Sequence, residues 1–330
     1  MTLASQLTSL TTTLMIYYMT PVYIIGILGN LTNILIFSRR KLRSNTCSRY
    51  FIGMSVAQIV LFNTFGLTRV IISRTGVDLA GMNVGLCKLR IFVYIYSLGL
   101  TRQFLCLISI DRWILSAQHA RIRQFSSPRL VTSLIIGSVC FWLVFSIHGL
   151  IGYEITSAHF CGAPLGSAYA EFYAIQITIS SIVPFLIISA FTLLTFRNVR
   201  HWRRVQIVQP SVNVANLAKK AITNRSLSMN VSHYRREFQL MKISLLQVIF
   251  YVVFAMTSTI FPLYSYLTST LPKSTDQLAI DAFIVSTALI LLYTYTASTF
   301  FLYTWVSKTF RKELLLTLMT LVRWMKRAHL

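Results

Sequence analysis

Seven apolar blocks, each about as long as a helix needs to cross a bilayer, constrain this chain more than any other feature. They fall at about Leu14–Ser38, Arg49–Ile72, Leu86–Ala117, Leu130–Tyr153, Tyr169–Asn198, Phe238–Leu267 and Ala279–Val306. Roughly 20 apolar residues in helical form cover a hydrocarbon core about 30 Å thick. Lipid offers no hydrogen-bond partners, so each span must satisfy its own backbone, which a helix does within one segment. Strands of a membrane barrel would read as alternating segments of about ten residues, and these blocks do not alternate. The expected fold is therefore an all-α bundle of seven transmembrane helices, one domain over residues 1–330. A short amphipathic interfacial helix is expected after the seventh span. Hydrophobic residues make up 55% of the chain and charged ones 12%, about half the charged share of a soluble domain.

A net charge of +23 would suggest nucleic acid in a soluble protein, but its distribution points to topology. The basic residues gather between alternate blocks. One group is Arg39, Arg40, Lys41, Arg43 and Arg49, and a second is Arg112, Arg121, Arg123 and Arg129. A third runs from Arg197 to Lys242, and a fourth comprises Lys308, Arg311, Lys312, Arg323, Lys326 and Arg327. The positive-inside rule makes these segments cytoplasmic, with the N-terminus outside and the tail inside. The expected location is the plasma membrane, with anionic lipid as a partner and no nucleic acid. Residues 1–13, uncharged and rich in Ser and Thr, are expected as a short extracellular end without a cleaved leader. Residues 199–237 are expected as a basic third cytoplasmic loop, and 307–330 as a cytoplasmic interfacial helix and tail. So short an outer end directs any ligand to the helices and outer loops. Two glycosylation triplets, Asn224-Arg225-Ser226 and Asn230-Val231-Ser232, fall in the third inner loop, and sugar on either would reverse the orientation. Of five cysteines, only Cys87 and Cys161 fall on the oxidising side, leaving a disulfide between them or two free extracellular thiols.

Several markers occur in order, each on the matching block. They are Gly29-Asn30 in the first, Cys87 and Cys161 outside, Asp111-Arg112-Trp113 ending the third and Trp142 in the fourth. Pro184 and Pro262 follow in the fifth and sixth, and Ser307-Lys308-Thr309-Phe310-Arg311-Lys312 comes after the seventh. Together they resemble a rhodopsin-like G-protein-coupled receptor over nearly the whole length. That resemblance implies an outer disulfide between Cys87 and Cys161, helix kinks at Pro184 and Pro262, and a switch at Asp111-Arg112, whose tyrosine is here Trp113. It implies a heterotrimeric G protein as partner, an extracellular ligand, no cofactor and no enzymatic activity. The chain also departs from the family. The second-span acid is Gln58, the third-span serine is Thr101, and the seventh-span Asn-Pro-x-x-Tyr reads Thr299-Phe300-Phe301-Leu302-Tyr303. The sixth-span Cys-Trp-x-Pro reads Thr259-Ile260-Phe261-Pro262. Without the carboxylate, a bound sodium ion in mid-bundle is not expected. The six histidines, His148 and His159 among them, show no metal-ligand spacing.

The coupling switch is expected to comprise Asp111, Arg112, Lys242 and Tyr303. Asp111 holds Arg112 at rest, and activation frees the guanidinium; the alternative is an arginine that only snorkels to lipid phosphates. Lys242 stands where many relatives carry an acid and would repel Arg112, so ligand-free signalling is expected. Arg102 lies mid-span, where a cation costs about 2.5–3.5 kcal/mol on insertion scales and needs a partner. A polar network of Asn30, Gln58, Thr101 and Arg102 is expected to supply one; contact with an anionic ligand and snorkelling are the alternatives. Tyr94 lies five turns, or about 18 residues, before Arg112 and so shares its face, which aims it into the outer crevice. Arg69, Gln176, Tyr264 and Tyr293 join it by depth as pocket candidates, though ordinary packing is an alternative for each. Aromatic walls with one cation suit a peptide with an aromatic, amidated or acidic group. Two further classes stay open: a receptor-like protein without G-protein coupling, and a carrier or channel. The latter would want intramembrane carboxylates or broken-helix repeats, which the sequence lacks.

Overall fold

A computed structural model describes residues 2–43, 45–155, 161–164, 166–208, 242–243, 245–255, 257–268 and 271–328. Seven long helices, α1 Leu3–Phe37, α2 Thr46–Thr75, α3 Val84–Ser116, α4 Pro128–Gly152, α5 Ala168–His201, α6 Leu245–Leu267 and α7 Thr275–Val306, are each long and apolar enough to cross a membrane. An eighth, α8, follows at Lys308–Ala328. The chain is a multi-pass membrane protein. Most of the third inner loop, both glycosylation triplets, His159 and the expected start of the sixth span at Phe238 lie outside the described residues.

Local chemistry sets the helix starts. Asn45 caps α2 by accepting from the Cys47 amide, and Asn83 caps α3 through the Leu86 amide. Ser127 caps α4 with Pro128 in the first turn, and Ser274 with Gln277 forms a capping box on α7. The helix that carries the first apolar block starts earlier than that block, at Leu3 rather than Leu14. Its Ser/Thr run stays helical because the hydroxyls of Thr8, Thr11, Thr12 and Thr13 donate to carbonyls four residues back, at 2.8–3.0 Å. Three π-turns, Leu14–Tyr18, Phe62–Gly66 and Tyr251–Ala255, interrupt α1, α2 and α6, and each shifts the face presented afterwards.

The third helix is the axis of the bundle. Of its most apolar stretch 78% is buried, against 22% for α4 and for α5. The outer surface stays apolar, with Leu28, Leu35, Val144, Leu186, Val253 and Phe301 exposed, as lipid-facing helices require. Glycine permits the closest approaches. A Cβ at Gly29 would meet Phe300 at 2.9 Å, and one at Gly99 would collide with the Trp142 ring. Pro184 and Pro262 lie inside α5 and α6. Between α4 and α5, β1 Glu154–Ile155 pairs antiparallel with β2 Cys161–Gly162. The Cys87–Cys161 disulfide, with Cα atoms 5.6 Å apart, pins this hairpin to the head of α3. At the opposite end α8 docks through buried Phe310, against Phe37 and Tyr303, and through Glu313, paired with Arg39 at 3.0 Å.

Candidate functional site

At the end of α3 remote from the disulfide, Asp111 and Arg112 are almost wholly buried. Arg112 Nη2 donates to Asp111 Oδ2 at 3.2 Å and to Asn45 Oδ1 at 3.1 Å, while Nε donates to Cys47 Sγ at 2.8 Å. Asp111 also accepts from Thr46 Oγ1 at 3.1 Å, Cys47 Sγ at 2.9 Å and, from the segment before α4, Ser126 Oγ at 2.6 Å. The first turn of α2 thus grips both members of the pair. Its free amides and dipole favour the nearby carboxylate, and Asn45 both caps α2 and holds the guanidinium. Tyr303 is buried on α7, and Gln247 Nε2 of α6 donates to its hydroxyl at 3.1 Å. Lys242 is exposed in the first described turn before α6, while the Arg112 bonds above run to α2 and Asp111.

Toward the disulfide end, Tyr94 packs on Phe65 at 4.5 Å between ring centres, and Tyr293 packs on Phe62 at 5.3 Å. Among the described residues the buried Tyr293 hydroxyl has no hydrogen-bond partner. Arg69 lies 5.1 Å over the Phe65 ring and Arg90 lies 5.9 Å over it. Arg90 is neutralised by Asp78 at 2.8 Å; among the described residues Arg69 has no acidic partner. Arg69, Tyr94 and Tyr293 therefore converge on one aromatic floor. Gln176 lies apart, in a cleft between α3, α4 and α5 shared with Tyr94. Tyr264 does not join the group: it is 43% exposed and stacks against Lys273 at 5.3 Å. Depth along α6 cannot choose a face, and the π-turn at Tyr251–Ala255 rotates the residues beyond it.

The mid-bundle polar residues do not form the expected single network. Asn30 donates to the Gly26 carbonyl, Thr101 donates to the Ser97 carbonyl, and Gln58 accepts from Thr299 at 3.4 Å. Arg102 points the other way, toward α5. Its Nη1 donates to the Ser180 hydroxyl at 3.1 Å and carbonyl at 3.3 Å. Asn45, Thr46, Cys47, Ser126 and Ser180 are the contributors that sequence reasoning missed. Only Asn45-Thr46, polar and placed just before an apolar run, carried a signal, that of a helix cap.

Seven membrane-spanning helices, the α3 disulfide and the buried acid–arginine pair define a seven-helix receptor. A family model described as 7 transmembrane receptor (rhodopsin family) matches residues 29–303, and the chain belongs to that family. It is similar to endothelin receptor type B from Rattus norvegicus, 27% identical over 147 residues, covering 44% of this chain and 32% of the relative. It is similar to atypical chemokine receptor 4 from Homo sapiens, 24% identical over 202 residues, covering 58% and 55%. The human endothelin-1 receptor is 26% identical over 165 residues, covering 46% and 38%. The chain thus spans about a third to a half of the length of the curated relatives it matches.

Proposed function

We propose that this protein is a plasma-membrane receptor, N-terminus outside, that converts binding of an extracellular peptide into activation of a heterotrimeric G protein. The observation that carries this reading is the buried Asp111–Arg112 pair gripped by the first turn of α2. Among the described residues the guanidinium is held by Asp111 and by the neutral side chains of Asn45 and Cys47, bonds that a change in the packing of α2 on α3 can part. The ligand reading is supported by Arg69, whose guanidinium lies over Phe65 beside Tyr94 and Tyr293. An acidic group on the peptide would supply its counter-charge. The relatives named as endothelin and chemokine receptors support a peptide as well.

In this mechanism a peptide bridging α2, α3 and α7 favours the state in which α6 tilts near Pro262. The Gln247–Tyr303 bond parts, Arg112 leaves Asn45 and Cys47, and its guanidinium meets the G protein. The ligand shifts the equilibrium only by its differential affinity for the two states. Lys242 supplies a positive charge at this end, so restraint falls on Asp111 and α2. The basic and apolar faces of α8 rest on anionic lipid.

Ligand-free and peptide-stimulated nucleotide exchange on purified G protein tests the reading. Arg112→Ala should reduce exchange at least tenfold at equal surface expression. Exchange unchanged in that variant refutes the assigned role, and a wild-type receptor inert toward every G protein returns the chain to the uncoupled class. A peptide-library screen then reads the ligand, with Arg69→Gln expected to weaken acidic peptides selectively.

A further inference from the structure

Ser126 lies in the segment between α3 and α4, and its hydroxyl reaches the switch. Its Oγ donates to Asp111 Oδ1 at 2.6 Å and meets Thr46 Oγ1 at 2.9 Å. Among the described residues bonded to Asp111, Ser126 alone comes from a loop; Thr46 and Cys47 sit in the first turn of α2 and Arg112 on α3. Ser126 is partly buried, while Arg121, Arg123, Gln124, Phe125 and Arg129 around it are exposed. A single short helix, Ala120–Arg123, orders the residues before it, and one turn is not stable by itself in water. The segment can therefore leave its place without unfolding α3 or α4. In extended chain, residues two apart face the same side, so Arg121 and Arg123, five and three residues before Ser126, then present their guanidinium groups together. No acid occurs between Asp111 and Glu154 to oppose them.

We propose that Ser126 is a phosphorylation site for an arginine-directed serine kinase, one with an acidic peptide groove, and that the phosphate holds the receptor at rest. The inference rests on the reading of this end as cytoplasmic and of Arg112 as the coupling switch. Ser126 Oγ attacks the γ-phosphorus of ATP, forming the new O–P bond. The bond from that phosphorus to the β–γ bridging oxygen breaks, ADP leaves with the electron pair, and the hydroxyl proton passes to the kinase's base. The product carries a charge of about −1.5 to −2 and can no longer donate to Asp111. The loop bond is lost, and the phosphate and carboxylate repel. The deciding charge is Arg112, bound to the other oxygen of the same carboxylate at 3.2 Å. While Arg112 stays, it offsets both anions; once it leaves, they stand as uncompensated neighbours. Release of the guanidinium is therefore harder in the phosphorylated receptor. Ser127, next in the chain, instead caps α4 through the Leu130 amide.

The test treats full-length purified receptor with an arginine-directed serine kinase and magnesium ATP, and reads the products by peptide mass spectrometry. Ser126 should be phosphorylated in the wild type, and Arg121→Ala combined with Arg123→Ala should lose most of that label. The second readout is the rate at which a water-soluble maleimide alkylates Cys47. Its thiol is buried against Arg112 and Asp111 and becomes reactive in proportion to the released population; no G protein is needed. Phosphorylation should slow this alkylation about tenfold, the worth of one charge-assisted interaction, and lower ligand-free nucleotide exchange by the same factor. Ser126→Ala should be indifferent to the kinase in both assays. A receptor protected at Cys47 yet inert toward G protein bears out the phosphate lock and counts against coupling instead. A Ser126 that stays unlabelled overturns the proposal. So does a labelled receptor whose Cys47 reacts as fast as before or faster, or a slowing that persists in Ser126→Ala.

Discussion

Asn45 performs two tasks that substitution separates. Its Oδ1 accepts from the Cys47 amide at 3.3 Å, capping α2, and from Arg112 Nη2 at 3.1 Å, restraining the switch. Loss of a cap costs about 1 kcal/mol, and it falls on every state in which α2 is helical. A hydrogen bond to a charged group is worth about 1.5–3 kcal/mol, and this one falls only on the state in which Arg112 is held. Arg112 keeps Cys47 and Asp111, so the low end applies, about 1.5 kcal/mol. That corresponds to roughly a tenfold rise in the released population, since about 1.4 kcal/mol is a factor of ten. Serine at position 45 caps the helix, but its hydroxyl is too short to reach the guanidinium as well. Asn45→Ser should therefore raise ligand-free nucleotide exchange about tenfold and melt lower only by the lost restraint. Asn45→Ala should raise exchange equally and melt lower still, by the further 1 kcal/mol or so of the cap. If only the alanine variant raises exchange, the effect belongs to helix fraying and the direct restraint of Arg112 by Asn45 is refuted.

Gln247→Leu removes the donor to the Tyr303 hydroxyl and should raise ligand-free exchange about fivefold, the worth of one buried neutral bond near 1 kcal/mol; no change would place the inner end of α6 under other control. Gly99→Ala sets a methyl against the Trp142 ring and should destabilise the receptor by about 1–3 kcal/mol through overpacking. Thermal melting reads this, and a smaller ring at position 142 should recover part of the loss. Cys87→Ser opens a link that closes 74 residues and should cost about 4 kcal/mol on the chain-entropy model. Reductant should lower the wild-type melting temperature and leave the variant where it is.

The spans were readable because lipid forces each one to be helical and apolar, and the pair Cys87 and Cys161 because only one side of the membrane oxidises. The grip on Arg112 was not readable. It is made by a cap residue, a hydroxyl and a thiol at the start of α2 and by a loop serine, and only the packing of α2 on α3 brings them to Asp111. Residues 3–13 look polar letter by letter, yet hydroxyls of Thr8, Thr11, Thr12 and Thr13 are satisfied by their own helix, so the helix begins earlier than polarity suggests. Arg102 was recognised as needing a partner. The partner sits on α5, because a mid-span residue can turn to either side and sequence spacing does not say which.

One imbalance connects the inner switch, the outer pocket and the mid-bundle cleft. The chain has 31 basic residues and 8 acidic ones. Four of the acids are engaged near helix ends, where Asp78 holds Arg90, Asp111 holds Arg112, Asp281 holds Lys273 and Glu313 holds Arg39. None of the acids falls mid-span, so the two arginines set deeper, Arg69 and Arg102, have no carboxylate at ion-pair distance among the described residues. A cation in a low-dielectric bundle is tolerated when something neutralises it. Arg69 lies beside aromatic rings toward the disulfide end, which suits an acidic group on a large ligand. Arg102 instead meets the hydroxyl and carbonyl of Ser180. The same shortage of acids thus predicts that peptide charge governs signalling through Arg69, and that a carboxylate introduced beside Arg102 stabilises the bundle. Gln176→Glu, on the cleft that Arg102 also lines, should supply an internal counter-charge and raise the receptor's melting temperature. A variant that melts no higher than the wild type would show that position 176 does not face Arg102.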